Sequence, residues 1–152
     1  MTTKTIDPLT DLYEADETAW LDAMSELIDA GRFTDLDYAH LGEYLAAMAR
    51  RDRREIASRL TILIAHVLKW IHQPDNRSKS WRRTVIVQRQ ELVDQLESST
   101  LRNHAETVLS EAYANAVEQA AAETDLDEGT FPAHCPWTLD QLLSPEVLGN
   151  GD

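Results

Sequence analysis

Three side chains in one apolar stretch have the types and spacing to do chemistry. They are Arg59, His66 and Trp70, in the run IASRLTILIAHVLKWIH at 56–72. Arg59 lies seven residues before His66 and Trp70 four after, so at helical periodicity the three share one flank of the apolar face. Histidine serves as acid, base or metal ligand near neutral pH, and a neighbouring guanidinium can hold a carboxylate or phosphate, which makes the stripe a candidate ligand or catalytic pocket. The competing structural reading is a hydrogen-bonded histidine inside a bundle, with Arg59 paired to a carboxylate such as Glu43. No residue is assigned a catalytic role.

A second constellation surrounds the stop at Pro74. The segment QPDNRSKSWRR places Arg77, Lys79, Trp81, Arg82 and Arg83 around a polar corner. Aromatic and arginine side chains are favoured anchors at interfaces, so the corner is a candidate surface for an acidic protein or, secondarily, nucleic acid. The structural alternative has the tryptophans locking the turn and the cations solvated or paired.

Other chemistries find little support. The histidines at 40, 66, 72, 104 and 134 fall on different elements, and no pair has the spacing of H-E-x-x-H. Asp37-Tyr38-Ala39-His40 is a lone, weaker imitation of the Glu-x-x-His pairs of bundle di-metal sites, so no metal is expected. Cys135, the single cysteine, sits beside His134 between nearby prolines and reads as a packed thiol, with no intrachain disulfide available. There is no Gly-rich phosphate loop and no G-x-S-x-G, so no cofactor is expected.

The elements that must position these residues read as helices throughout. A first helix runs from Tyr13, with Trp20, Met24, Leu27 and Ile28 on its apolar face, to a glycine stop at Gly31. Asp35 or Asp37 caps a second, about 36–50, with Leu41, Tyr44, Leu45 and Met48 on one face. Asp52 followed by Glu55 has capping-box spacing, which predicts a break near Arg51–Asp52 and a third helix over about 53–73. That helix is apolar around most of its circumference and belongs at the centre of the fold. Pro74 ends it.

Ser78 or Ser80 caps a fourth helix, about 81–98, with Val85, Ile86, Leu92, Val93 and Leu96 inward. The Ser98–Thr100 cluster caps a fifth, about 101–123, with an alanine-rich face. The remainder is a proline-containing arm in which Thr138 and Gln141 start a short helix and Ser144-Pro145-Glu146 offers a second cap. Residues 1–10 read as a loose polar lead-in.

The length of 152 residues suits one domain over 1–152 that buries roughly 70% of its unfolded surface. The formal charge of -13 is unevenly spread. Residues 1–49 carry 2 basic and 11 acidic side chains, residues 50–102 carry 12 and 6, and residues 103–152 carry none and 10. A basic middle is thus bracketed by acidic ends, which disfavours nucleic acid as the partner of the 50–102 region. The opening MTTKTIDPLT lacks a hydrophobic signal core and no apolar run approaches a membrane span, so a cytoplasmic protein off the membrane is expected.

The runs YEADETAWLDAMSELIDAGRFTDLD, SRLTILIAHVLKWIHQP, RSKSWRRTV and FPAHCPWTLDQLL resemble the bacterial family catalogued as domain of unknown function twenty-nine, over roughly residues 9–148. H-x-x-K-W followed by P-x-x-R-S-x-S-W is the specific part. The chain departs from the family pattern in having fewer aromatics near ADETAW and no glycine or serine around Ala49. The resemblance implies an all-helical cytosolic protein and supplies no reaction, ligand or catalytic residue.

The reading that follows is an all-α, up-and-down bundle of about five main helices with a proline-containing C-terminal arm and short terminal helices. Its leading function is a non-enzymatic protein-binding or adaptor module, with a protein partner or a homo-oligomer allowed. A ligand or catalytic site at Arg59, His66 and Trp70 is the alternative, and nucleic-acid binding comes third.

Overall fold

The computed structural model describes residues 8–149 and contains only helices, turns and loops among them. Six α-helices follow in order: α1 Pro8–Ala15, α2 Glu17–Asp29, α3 Tyr38–His72, α4 Lys79–Gln95, α5 Ser99–Thr124 and α6 Leu139–Leu143. The protein is an all-α bundle, as its periodicity predicts. The chain divides into two compact units, residues 1–50 and 51–152. The first seven residues of the predicted lead-in lie outside the described residues, and Pro8–Thr10 open α1.

In the first unit a cap overrides the apolar periodicity. The predicted first helix is interrupted at Asp16, whose backbone leaves helical geometry while its side chain accepts from the Ala19 amide at 3.1 Å. An aspartate able to satisfy a free helical N–H favours a new start over continuation. Helix α2 then ends as predicted. Gly31 takes φ +70°, its amide donates to the Ile28 carbonyl, and the Arg32 amide donates to the Leu27 carbonyl, the paired closure that left-handed glycine permits. Trp20 and Met24 are the buried apolar anchors here. Tyr13 packs edge-on against Trp20 at 4.8 Å, and Tyr44 lies 5.9 Å from it. Leu45, on the apolar face expected with Leu41, Tyr44 and Met48, is 61% exposed.

Helix α3 corrects the predicted break near Arg51–Asp52, because its 35 residues are continuous. The segment between Arg50 and Ile56 holds no glycine or proline, and four of its five residues, Arg51, Arg53, Arg54 and Glu55, are good helix formers. Glu55 forms an i,i+4 ion pair with Arg59, which reinforces the helix where a start was expected. Capping spacing alone does not open a helix when the residues before it are equally content to be helical.

The second unit is built on the C-terminal half of α3. Ile56, Leu60, Leu63, Ile64, Val67 and Leu68 are fully buried, each contributing about 1.5–3 kcal/mol from removal of apolar surface. Pro74 opens a single 3-10 turn, and Ser78 caps α4 by accepting from the Trp81 amide at 3.1 Å. Val85, Leu92 and Leu96 form the buried line of α4, while Val93, read as inward, is 46% exposed. Ser98 caps α5, which buries Ala105, Ala112, Ala116 and Ala120 along one face and so lets neighbouring backbones approach.

Helix α5 ends on Asp125 with φ 58°, a left-handed conformation that aspartate tolerates better than most residues. The arm then enters the core through Phe131, Leu139 and Leu142. The capping box of Thr138 and Gln141 forms as predicted, whereas Ser144 caps only a turn.

Candidate functional site

His66 and Lys69 sit three residues apart on α3, on the same face. The Nδ1 of His66 is 2.8 Å from the Ile62 carbonyl, which can only accept, so Nδ1 carries the proton and Nε2 presents its lone pair. Lys69 Nζ fills that position at 3.5 Å from Nε2. Lys69 is 5% exposed, yet its ammonium also joins the Glu123 carboxylate of α5 and lies 5.1 Å from the centroid of the Trp81 ring. Burial, aided by the Lys69 charge, holds the imidazole below its ordinary value against the opposing influence of Ile62 and Glu123. His66 is therefore a neutral acceptor in a clamp joining α3, α4 and α5, with its basic nitrogen already engaged.

Arg59 has different neighbours. Its Nε and Nη2 donate to Glu55 Oε1 at 3.0 and 2.7 Å, its Nη1 donates to Gln88 Oε1 at 3.0 Å, and Glu91 lies 3.9 Å away. The carboxylate beside it is thus Glu55 on its own helix, not Glu43. Hydrogen bonds from Arg59 and Gln95 hold the Glu55 carboxyl below its usual range against the effect of burial. Arg59 braces α3 against α4 and borders a shallow recess of about 460 Å³ with Arg51, Arg54 and Ser58.

Trp70 belongs to a third neighbourhood. Arg77 folds back over it, donating from Nε to the Trp70 carbonyl at 2.8 Å while its guanidinium stacks 4.8 Å from the ring centroid. This contact satisfies a free carbonyl at the end of α3 and orients the corner. Arg77, Lys79, Arg82 and Arg83 are exposed, with Trp81 half-buried between them. Among the described residues, Lys79, Arg82 and Arg83 enter no salt bridge.

Trp70 and Arg82, assigned to separate constellations from their positions in the chain, line one recess of about 160 Å³. Ile86 and Arg89 share its α4 side, and Pro145 and Leu148 of the arm form the other. The indole nitrogen of Trp70 is buried without a hydrogen-bond partner among the described residues. Arg89, like Arg82, forms no salt bridge among the described residues. Arg89 enters the sequence reading only within the basic 50–102 region and not as a site residue, although Arg82, Ile86 and Arg89 have the spacing that places them on one flank of a helix.

The first unit holds a polar cluster of its own. Asp37 is 9% exposed and accepts from the Trp20 indole at 3.2 Å, the His40 ring at 2.7 Å and the His40 amide at 3.4 Å. Burial pushes its carboxyl up, but the hydrogen bonds and charge of His40 and the Trp20 bond outweigh that, leaving it below the usual value. Tyr13 stacks on His40 at 4.3 Å. The Asp-x-x-His spacing thus forms a helix cap that pins an indole. Cys135 donates to the Trp137 carbonyl at 3.3 Å, and burial raises its thiol above the ordinary value, which suppresses the nucleophilic thiolate. Among the described residues no group of three or more His, Cys, Asp or Glu is placed to hold a metal ion, and no helix is long and apolar enough to cross a membrane.

These features define a helical protein whose interior polar groups brace its helices and whose cations Lys79, Arg82 and Arg83, at the α3–α4 corner, enter no salt bridge among the described residues. The family model described as Domain of unknown function DUF29 matches residues 12–148, and the chain belongs to that family. It matches no curated protein and no solved structure.

Proposed function

We propose that the chain is a non-enzymatic protein-binding module that presents the corner of Arg77, Lys79, Trp81, Arg82 and Arg83 to an acidic partner surface. The observation that supports this most directly is that Lys79, Arg82 and Arg83 are exposed and enter no salt bridge among the described residues, in a chain of net charge -13. Cations lacking internal partners can serve an external one at low desolvation cost, and opposed charge steers encounter. Trp81 supplies an aromatic centre, held by the Lys69 ammonium against its ring. Val87, 40% exposed and one turn beyond Arg83, extends the face with apolar surface.

Protein is favoured over nucleic acid because tight phosphate binding needs many cations in register, whereas here the basic group is compact and the chain as a whole is acidic. The polar interior supports a non-enzymatic reading, since His66 and Arg59 spend their hydrogen-bonding capacity on neighbours.

The test is affinity capture from lysate of the source cells with the wild-type chain and with a Lys79→Ala, Arg82→Ala, Arg83→Ala variant, alongside sedimentation velocity of both. A protein retained by the wild type and released by the variant, or a self-association that the variant abolishes, supports the proposal. Identical captured proteins from both, with both chains monomeric, remove it.

A further inference from the structure

We infer that the recess between α4 and the C-terminal arm is a binding site for a small organic carboxylate. Arg82 and Arg89 stand two turns apart on one flank of α4 with Ile86 between them, and all three line the recess. Two guanidiniums bordering one concavity, neither with an acidic partner among the described residues, form a receptor for a planar anion, because the guanidinium fork matches a carboxylate in two parallel hydrogen bonds. Ile86, Pro145 and Leu148 give the remaining wall its apolar surface, with Gly149 completing it. A ligand that satisfies both surfaces carries its charge at one end and a compact hydrocarbon body at the other.

Size narrows the class. The recess has a volume of about 160 Å³, close to the ~150 Å³ cavity that accommodates a benzene ring. A carboxylate on a short aliphatic chain or a single ring fits, and a nucleotide does not.

A second observation bears on the same place. Trp70 lines the recess at 9% exposure, and its indole nitrogen is one of two buried side-chain polar atoms without a partner among the described residues. Buried donors are nearly always satisfied, so the orphaned indole N–H, on a residue that lines the recess, is the donor we assign to a bound anion. Each oxygen of a carboxylate held in the guanidinium fork keeps a further lone pair, and one of these accepts from the indole N–H when the ligand is seated. The site does not depend on a protein docking at the corner, and Arg83 lies outside it.

The experiment is a titration of isotope-labelled full chain with butyrate and benzoate, following the Trp70 indole N–H resonance, with butyramide as the uncharged control and inorganic phosphate as the compact anion. Saturable displacement of the Trp70 signal by a carboxylate, absent with butyramide and weakened about tenfold or more in Arg89→Gln, is the expected result. Trp70→Phe weakens binding when followed through neighbouring amides, and Arg83→Gln binds as the wild type does. Equal response to butyramide, retained affinity in Arg89→Gln, or no saturable shift at tens of millimolar carboxylate overturns the assignment. Tighter binding of phosphate than of either carboxylate overturns the ligand class.

Discussion

Lys69 and Glu123, 54 positions apart in the chain, are joined Nζ to Oε2 against the ring of Trp81, with His66 accepting from the same ammonium. One buried cation therefore ties three helices together. Its two partners differ in burial, since the Lys69 side chain is 6% exposed and that of Glu123 is 54% exposed. Removing the carboxylate leaves a buried charge unanswered, whereas removing the ammonium releases a carboxylate that water can solvate. Glu123→Gln is expected to cost about 1–3 kcal/mol, and Lys69→Met, which keeps the packed stem, to stay within about 1 kcal/mol of the wild type. Urea midpoints at unchanged slope measure both, and a reversed order would refute this account of the clamp.

The pH response of His66 follows from the sign of its shift. Its folded value lies below the ordinary 6.5, so the unfolded chain takes up the proton first as pH falls. Its contribution is fully present above about pH 6.5 and is lost as pH drops through the lower folded value. Between about pH 8 and pH 5 the wild type should lose more stability than His66→Gln, with Lys69 and Glu123 common to both chains. Parallel stability curves would show that the imidazole does not titrate between these states.

Asp37 makes a similar case in the first unit. Asp37→Ala removes the cap of α3 and strands the Trp20 indole N–H, for an expected loss of about 2–4 kcal/mol. Since its folded value lies below the ordinary 3.8, its ionic contribution is present above about pH 3.8 and disappears as pH falls through the folded value. Acid titration of Trp fluorescence, compared between wild type and Asp37→Asn, reads this directly.

Continuity of α3 through Asp52 has a simple consequence. Asp52→Ala should change stability by no more than about 0.5 kcal/mol, as for an exposed helical site, where a helix start capped by this residue would lose about 1 kcal/mol.

The arm is part of the core. Leu139→Ala is expected to cost about 2–5 kcal/mol, the range for a fully buried leucine, and a loss below about 1 kcal/mol would mean that the arm only rests on the surface.

Local rules carried the helix ends well where the terminating chemistry was unambiguous. Gly31, Pro74, Ser78, Ser98 and the Thr138–Gln141 pair act as read. They misplaced boundaries where two local preferences competed. At Asp16 a cap beat a continuous apolar stripe, and at Asp52 a continuous run of helix formers beat capping-box spacing. The apolar stripes identified the core line of α3, but Leu45 and Val93 remain exposed, because burial depends on whether a neighbour occupies that angle of the helix.

The site residues divide along the same line. That Arg59, His66 and Trp70 share a flank of one helix was readable, but their partners Gln88, Lys69 and Arg77 engage them in three separate places. Arg89 stood out only as part of a basic stretch and Glu123 not at all, since nothing in a solvated-looking helix face announces what lies opposite.

The sequence by itself determined the all-helical class, most helix ends, the apolar spine at 56–70 and the clustering of positive charge in the middle of the chain. These follow from periodicity, capping chemistry and composition, which act over a few residues. Only the tertiary structure decided that Lys69 meets Glu123, that Trp70 and Arg82 line one recess with the arm, and that Lys79, Arg82 and Arg83 are without acidic partners among the described residues. Those relations join residues distant in the chain, and they are set by how helices pack against one another, which no local pattern encodes.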